Sequence, residues 1–293
     1  MSQTSAENSR QSAANGESRR FVCRDRAIAL NGRPKMVGIV NITEDSFFDG
    51  GKFSSTDAAV AHGLKLVRDG AAVLDVGGQS TRPGFVEISP AEEIARVVPV
   101  VERLVAKSAV PVSIDTYKPD VARAALKAGA HILNDIHGFQ GADMLADIAA
   151  EFDAGVVLMH NDPTLKQSSV DPMAAVLAFF EKSLAIAQQH GVQREKIILD
   201  PGIGFGKTQE QNLALMARLG ELRGLGLPIL LGASRKSVIG NVLGLPVEER
   251  LEGTLATTAL AVWQRVEFIR VHDVLPNLRA ANVAAALRPF SKS

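Results

Sequence analysis

Eight short apolar runs alternate with helix-like segments along most of this chain, and this rhythm limits its possible folds more than any other feature. Each run is continuously apolar, which is typical of strands in a parallel sheet covered on both faces. The runs are residues 36–42, 72–76, 111–114, 131–136, 155–159, 196–199, 228–231 and 267–271. Eight strand–helix units in a chain of 293 residues predict a closed (β/α)8 barrel, or TIM barrel, of the α/β class. An open doubly wound sheet is the alternative that the pattern leaves open.

Helix-like segments occupy the intervals. Several begin at a capping residue followed by proline, as at Ser89 and Asp171, and several end in glycine, as at Gly129 and Gly191. They span residues 56–69, 90–107, 119–128, 142–152, 172–190, 209–223, 247–264 and 275–287. No linker interrupts this order, so we predict one domain over residues 21–293, opening with a lead-in strand or hairpin. Residues 1–20, rich in Ser, Ala, Asn, Gln and Glu, predict a disordered tail.

Charge and cysteine content exclude several classes of protein. Lys+Arg and Asp+Glu both number 32, so no overall basic field is available to hold nucleic acid or an anionic membrane. The single cysteine, Cys23, excludes an intramolecular disulfide framework and a thiolate zinc site. No apolar run is long enough to span a membrane, and the N-terminus lacks the apolar core of a secretory signal. We therefore expect a cytoplasmic protein.

Polar side chains follow each apolar run, at the strand ends where barrel enzymes place their chemistry. Acceptors such as Asp115 and Asp200 suit a flat heterocycle that presents several N–H donors. Cations at the ends of the last two runs, Lys236 and Arg270 among them, suit phosphate, which this fold commonly binds there. The full set is Asn41, Asp75, Asp115, Asn134, Asp135, His160, Asp200, Ser234, Arg235, Lys236, Arg270 and His272.

For two members of this set, a purely structural role is as good an interpretation as a role in the site. His160 is as consistent with a buried core histidine as with a ligand, and Asp75 with a residue that only orients the glycines after it. The loops at residues 41–51 and 77–84 exceed the usual length of about two to six residues for such connections and predict mobile lids. Phe47 and Phe48 in the first loop would cover an aromatic substrate or pack the loop down.

Two glycine-rich segments resemble known motifs without meeting them. Residues 201–208 approach a phosphate-binding P-loop, but Pro201 stands where its first glycine is required, so we expect a flexible loop there. Residues 232–236 are not a nucleophile elbow, because Lys236 occupies the last position. Carboxylate and amide oxygens beside a phosphate ligand favour Mg²⁺ over a transition metal.

A series of motifs, in order and without a large gap from about residue 36 to residue 287, resembles the dihydropteroate synthases. The resemblance implies a TIM barrel, usually dimeric, that condenses hydroxymethyl-dihydropterin pyrophosphate with para-aminobenzoate, using Mg²⁺, in folate synthesis. Sulfonamides would compete with para-aminobenzoate. The motifs are Asn41-Ile-Thr-Glu-Asp-Ser-Phe-Phe-Asp-Gly-Gly51, Asp75-Val-Gly-Gly-Gln-Ser-Thr-Arg-Pro-Gly84, Ser113-Ile-Asp-Thr116, Asn134-Asp135, Met159-His160, Asp200-Pro-Gly-Ile-Gly-Phe-Gly-Lys207, Ser234-Arg-Lys-Ser237 and Arg270-Val-His-Asp273.

The resemblance also implies a role for individual residues. The pterin would contact Asp115, Asn134, Ile136, Met159, Asp200, Phe205 and Lys236. Pyrophosphate would contact Asn41, Arg82, Arg270 and His272, with Asn41 also binding Mg²⁺. The para-aminobenzoate site would be shaped by Asp45, Phe47, Thr81, Pro83 and Ser237. The catalytic residues would be Asp45, Arg82, Lys236, Arg270 and His272.

Three residues depart from the family pattern, and two other functions stay open. Glu44 stands where proline is usual, Phe48 where serine is common, and Gln79 where many members have glutamate; these departures bear on the loops rather than on the reaction. A pterin-binding methyltransferase domain would share the barrel but lack the Ser-Thr-Arg-Pro and Ser-Arg-Lys-Ser segments. A non-catalytic pterin-binding paralogue would lack the cations after the last strand.

Overall fold

The computed structural model describes residues 19–42, 55–79 and 87–290. The strands in this part of the chain are β1 (Arg20–Cys23), β2 (Arg26–Ala29), β3 (Lys35–Asn41), β4 (Ala71–Gly77), β5 (Val112–Asp115), β6 (Ile132–Asp135), β7 (Gly155–Met159), β8 (Ile197–Asp200), β9 (Leu230–Leu231) and β10 (Phe268–Val271). All but the first two belong to one sheet of eight parallel strands, in the order β8-β7-β6-β5-β4-β3-β10-β9. A further parallel bridge, from Leu199 to Ile229, joins β8 to the residues just before β9 and brings the two ends of the sheet together. The predicted (β/α)8 barrel is confirmed, and the open doubly wound sheet is not the fold.

Helices cover the outside of the barrel, and their apolar faces form one large core with the outward faces of the strands. Ser89 and Asp171 cap two of them as predicted, because their side chains accept hydrogen bonds from the backbone N–H groups of Glu92 and Ala174. The helices are α1 (Ser55–Arg68), α2 (Pro90–Lys107), α3 (Pro119–Lys127), α4 (Met144–Glu151), α5 (Pro172–Gln189), α6 (Gln209–Ala217), α7 (Ser237–Leu243), α8 (Leu251–Trp263) and α9 (Val274–Leu287).

Helix α7 is the element that the sequence pattern does not predict. It contains Gly240, so its intrinsic helix propensity is low, and it is capped by Gly244, whose φ of 68° is left-handed. Tertiary packing compensates, since Val238 and Ile239 are buried. The guanidinium of Arg250 lies so close to Gly240 that a side chain there would collide with it.

The first two strands, β1 and β2, form an antiparallel hairpin that closes the end of the barrel where the parallel strands begin. Its buried side chains pack on an inner layer contributed by the barrel strands. The Phe21 ring meets the Phe268 ring edge-on at a centroid distance of 5.7 Å. Gly155 leaves the room that the hairpin needs, because a Cβ there would lie 2.6 Å from Phe21 Cζ. The barrel is therefore filled from below by apolar side chains, and its opposite end alone remains for polar groups.

Residues 1–18, most of the predicted tail, lie outside the described residues, whereas Arg20 already begins β1. Arg19 ion-pairs with Glu267 at 2.7 Å. Among the residues that the structure describes, no helix has both the length and the apolar character needed to cross a membrane.

Substitution Phe21→Ala is expected to lower the free energy of unfolding by about 3–5 kcal/mol, since it removes a fully buried ring from the barrel floor. Urea unfolding followed by circular dichroism measures this loss. Val22→Ala on the same strand, where the side chain is only partly buried, is the matched control and should cost about 1 kcal/mol or less. Equal losses in the two variants would mean that the hairpin does not stabilise the barrel through Phe21.

Candidate functional site

Arg270 lies at the centre of the polar end of the barrel. Its Nε donates to Asp75 Oδ2 at 2.6 Å, and one terminal nitrogen donates to Asp115 Oδ2 at 2.6 Å. Asn134 Nδ2 donates to the same Asp75 oxygen at 3.2 Å. Four residues from β4, β5, β6 and β10 thus form one network across the barrel.

Burial shifts the pKa values of these side chains. It raises the pKa of Asp115 to about 7, although Arg270 acts in the opposite direction. Burial also disfavours the charge of Arg270, but Asp75 and Asp115 together raise the pKa of that guanidinium above its usual range, so it stays protonated. Asp115 keeps 12% of its side chain exposed whereas Asp75 keeps 1%. Asp115 therefore faces the barrel mouth, and Asp75 lies beneath it.

A second pair of charged residues, Asp200 and Lys236, also lies close to Arg270. A Cβ built on Gly232 would lie 3.6 Å from Asp200 Oδ2, 3.8 Å from Lys236 Nζ and 3.9 Å from Arg270 Cβ. The three groups therefore surround Gly232 and lie close to one another, and a Cβ there would make only ordinary van der Waals contacts with them. Burial lowers the pKa of Lys236 to about 8 against the influence of Asp200, and burial raises the pKa of Asp200.

Lys236 also contacts the loop that follows β8. Its Nζ donates to the carbonyl oxygen of Ile203 at 2.5 Å and lies 4.8 Å from the centre of the Phe205 ring, a cation–π arrangement. The ring of Phe205 is partly exposed. It can therefore offer a flat apolar face to a ligand next to the ammonium group.

The loop after β8, which we expected to be flexible, is tied down by a buried lysine. Lys207 Nζ contacts His160 Nδ1 at 2.9 Å and donates to the carbonyl oxygens of Gly202 at 2.9 Å and Phe205 at 3.0 Å. Gly202 has a φ of 65° and passes so close to the carbonyl of His160 that no side chain would fit. Gly202 therefore serves this close passage.

His160 has the structural role that the sequence left as an alternative. Burial and the nearby Lys207 lower its pKa to about 3, so the imidazole is neutral and its Nδ1 accepts from the lysine. Its ring lies 4.6 Å from that of Phe179. Asp75 differs from its structural alternative, because its carboxylate pairs with Arg270 and Asn134.

Arg235 and His272 have different surroundings, although the sequence grouped them as cations. Arg235 is bound by Asp273 at 2.7 Å and by the carbonyl oxygens of Val247 and Glu248, so its charge is directed away from the site. His272 is half-buried, and its Nδ1 lies 3.0 Å from Ser234 Oγ. His272 therefore remains a candidate for binding an anion, whereas Arg235 does not.

The remaining predicted site residues fall into two groups. Asn41, at the end of β3, is exposed, and Asn41 Oδ1 and Asp115 Oδ2 lie 3.7 Å and 3.9 Å from a Cβ built on Gly77. Ile136 and Met159 are buried walls, and Ser237 is exposed at the start of α7. The predicted residues that lie outside the described residues are Glu44, Asp45, Phe47, Phe48, Thr81, Arg82 and Pro83.

A buried cluster beside the site was not predicted from the sequence. Lys118 Nζ lies 2.9 Å from Glu93 Oε2, with the two side chains 8% and 2% exposed. Gln79 Oε1 accepts from Lys118 Nζ at 2.8 Å and from the backbone N–H of Ile88 at 3.0 Å. Gln79 thereby ties residue 88 to the end of β4. The signal for this cluster is weak, since one lysine after a strand is usually a surface residue.

The geometry suits a flat, nitrogen-rich ligand with an anionic substituent. Carboxylate and amide groups offer acceptors, Lys236 offers a donor and Phe205 offers a ring face. Arg270 lies near the end of β10, and His272 directly follows that strand. Among residues 19–42, 55–79 and 87–290, no group of three or more His, Cys, Asp or Glu side chains could hold a metal ion. A metal here would need ligands from a substrate as well as from the protein.

Comparison with known proteins agrees with this geometry. The family model described as "Pterin binding enzyme" matches residues 37–272. The dihydropteroate synthase of Clostridium beijerinckii is 49% identical over 252 residues, covering 86% of this chain and 93% of that protein. The dihydropteroate synthase of Bacillus subtilis is 46% identical over 261 residues, covering 89% of this chain and 91% of that protein.

Solved structures give the same result. The dihydropteroate synthase of Clostridium difficile, crystallised in the presence of pteroic acid, has a TM-score of 0.84 and 45% identity over 91% of this chain and 98% of its own. The Xanthomonas albilineans enzyme with 4-aminobenzoic acid has a TM-score of 0.88 and 42% identity, covering 93% and 99%. The Yersinia pestis enzyme in a sulfonamide drug complex has a TM-score of 0.85 and 38% identity, covering 93% and 100%.

Proposed function

The chain belongs to the dihydropteroate synthase family of pterin-binding enzymes, and from this premise we propose that it condenses 6-hydroxymethyl-7,8-dihydropterin pyrophosphate with para-aminobenzoate. The products are 7,8-dihydropteroate and pyrophosphate, in folate biosynthesis. The observation that carries the proposal is the gathering of Asp115, Asn134, Asp200 and Lys236 around Arg270 at the polar end of the barrel. As the sequence led us to expect, we place the reaction in the cytoplasm.

The pterin ring matches the acceptors in the barrel mouth. Its pyrimidine edge presents a ring N–H and an exocyclic amine beside a carbonyl oxygen, so it needs acceptors and one donor. Asp115 and Asp200 supply carboxylate oxygens, Asn134 an amide oxygen and Lys236 an ammonium donor. Phe205 offers a stacking face, with Ile136 and Met159 as the apolar walls.

The pyrophosphate group is assigned to the cationic side of the site. Arg270 lies near the end of β10 and His272 directly follows that strand, where this fold commonly binds phosphate. Arg82 would join them, as the resemblance implies. Charge-assisted hydrogen bonds from these groups neutralise the leaving group as its negative charge grows.

Mg²⁺ fits this arrangement as an ion shared between protein and substrate. Asn41 is exposed, and its amide oxygen is a hard ligand of the kind that Mg²⁺ accepts. Mg²⁺ commonly completes its coordination with water and phosphate oxygens. Asn41 would hold the ion from the protein side. When bound, the ion supplies positive charge close to the pyrophosphate oxygens.

The reaction exchanges a carbon–oxygen bond for a carbon–nitrogen bond. Pyrophosphate leaves the pterin methylene group with the bonding electron pair while Arg270 and His272 hold its oxygens. Asp45 stabilises the resulting pterin cation, and the aromatic amine attacks the methylene carbon and loses a proton. Water competes as a nucleophile, so its exclusion by residues 41–51 and 77–84 is part of the proposal.

Sulfonamides should occupy the same place as para-aminobenzoate. Both are aromatic amines that carry an acidic group at the opposite end of the ring. The sites proposed for that ring are Phe47, Thr81, Pro83 and Ser237. The sulfonamide drug complex of the similar Yersinia pestis enzyme supports the proposal that this chain binds sulfonamides.

The activity is tested by pyrophosphate release from dihydropterin pyrophosphate and Mg²⁺, with and without para-aminobenzoate. We expect release coupled to formation of dihydropteroate, and its loss in Lys236→Ala, because the lysine lies beside both Asp200 and the pterin site. Tight pterin binding without release under any condition would instead identify a non-catalytic paralogue. Methyl transfer to or from a pterin would favour a pterin-binding methyltransferase domain.

Affinity for a pterin without phosphate is expected to weaken as the pH falls through about 7. The pKa of Asp115 is raised to about 7, and the protonated acid loses acceptors that the pterin N–H groups need. Calorimetry with 6-hydroxymethylpterin between about pH 5 and pH 8 measures this. Asp115→Asn, which cannot ionise, should bind weakly and lose the dependence on Asp115, so a pH profile identical to that of the wild type would contradict the assignment.

We also propose that two copies of the chain associate through an exposed apolar face on α8 and α9. Trp263, Val283 and Leu287 are 43%, 62% and 55% exposed there, beside a groove of about 590 Å³. A second copy is the occupant we favour, because a two-fold interface lets one apolar face cover its own equivalent.

Sedimentation of the wild type at micromolar concentration should show a dimer, and Val283→Glu should shift it to a monomer by burying a charge in the interface. Val170→Glu, at a site 54% exposed but on another part of the surface, is the control and should remain dimeric. A monomeric wild type would overturn the proposed dimer and would leave the proposed enzymatic activity unaffected.

A further inference from the structure

Asp75 is the carboxylate in the active-site network that a substrate cannot reach. Its side chain is 1% exposed, and it lies within β4, opposite Ile39 of β3 and Ser113 of β5. The interior cavity that it borders measures about 10 Å³, which is room for one water molecule at most. Asp75 therefore cannot contact a ligand directly, and the side chains that it holds are the groups through which it can position one.

The two side chains that it holds belong to different parts of the proposed substrate site. Asp75 Oδ2 accepts from Asn134 Nδ2 at 3.2 Å, and Asn134 is assigned to the pterin. The same oxygen accepts from Arg270 Nε at 2.6 Å, and Arg270 is assigned to the pyrophosphate. One buried oxygen thus joins a residue of β6 to a residue of β10.

The geometry at Asp75 gives each contact a direction. Asp75 Oδ2 accepts from two donors, and this selects the NH₂ end of the Asn134 amide. The carbonyl oxygen of Asn134 is then turned to the other side of the amide group, where it can accept from a ligand N–H. On Arg270, engagement of Nε fixes the plane of the guanidinium, which also places a terminal nitrogen on Asp115.

We propose that Asp75 is a positioning residue that sets the amide orientation of Asn134 and the guanidinium orientation of Arg270, and so aligns the pterin and pyrophosphate parts of the site. This inference rests on the proposed function, since the two ligands are taken from it. Asp75 makes no contact with either ligand and is not a catalytic residue.

The test uses Asp75→Asn, which keeps the side-chain shape and removes the charge. Calorimetry is carried out with 6-hydroxymethylpterin and, separately, with inorganic pyrophosphate. We expect the affinity for each ligand to fall about tenfold or more. In the first measurement Asn134, and in the second Arg270, loses the hydrogen bond to Asp75 that orients it. Unchanged affinity for both ligands would overturn the proposal.

Two double-mutant cycles separate positioning from general damage. In an Asn134→Ala background, Asp75→Asn should cause a smaller loss of pterin affinity than it causes in the wild type. In an Arg270→Ala background, it should cause no further loss of pyrophosphate affinity. Losses that add in full in both cycles would show that Asp75 acts independently of these two side chains and would overturn the proposal.

A stability control and a crystal structure complete the test. Thr258→Val removes a buried hydrogen bond to Asn277 between α8 and α9, so it should lower stability while leaving both affinities unchanged. If Asp75→Asn does not fold, a crystal structure of the wild type with 6-hydroxymethylpterin decides the matter. Asn134 Nδ2 must stay on Asp75 there, and an Asn134 Nδ2 that donates to the pterin instead would overturn the inference.

The outcomes also separate this inference from the proposed function. A wild type that binds neither ligand contradicts the function itself. A wild type that binds both ligands and catalyses the reaction, with cycles that show no coupling to Asp75, contradicts the positioning role alone.

Discussion

Arg270 carries a positive charge into the interior of a barrel, and the carboxylates of Asp75 and Asp115 make that charge tolerable there. Burying an isolated ion is very costly, so a guanidinium at this depth requires partners at hydrogen-bonding distance. The same pairing explains why the pKa of Asp115 lies near neutrality, because burial opposes its charge and Arg270 supports it. The site is therefore a set of mutually stabilising charged and polar side chains from β4, β5, β6, β8 and β10. A substrate group that binds there interacts with all of these charges.

The rest of the molecule surrounds these charged groups with apolar packing. Phe21 and Phe268 fill the opposite end of the barrel, so the polar layer rests on an apolar one. Water is excluded from below, which strengthens every ion pair above. The barrel separates its two ends by chemistry, with stability concentrated at the hairpin end and ligand-binding groups at the other.

At two places around the polar end of the barrel, a buried lysine holds neighbouring segments together through hydrogen bonds and ion pairs. Lys207 fastens the loop after β8 to the end of β7, and Lys118 fastens the end of β4 to the start of α2 through Gln79 and Glu93. Each ammonium gathers several acceptors that would otherwise lack donors. Lys207 in particular holds the loop that carries Phe205 against Lys236, and so it supports the site without forming part of it.

Much of this was available in the sequence, because strand and helix periods and the residues at strand ends are local properties. Eight apolar runs predicted the barrel, and the polar residues after them predicted Asp115, Asn134, Asp200, Lys236 and Arg270 as neighbours. The family to which the chain belongs was also visible in short, ordered motifs.

Contacts between residues far apart in the chain could be seen only in the tertiary structure, because local sequence patterns contain no information on them. Arg235 and Arg270 look alike in sequence, yet one is drawn away by Asp273 and the other enters the barrel. His160 became a neutral acceptor and Lys207 its donor only because two loops meet. Helix α7 forms against its own glycine content because Arg250 and the core hold it. Pairings such as Asp75 with Arg270 join residues far apart in the chain, and only the closed barrel brings them within hydrogen-bonding distance.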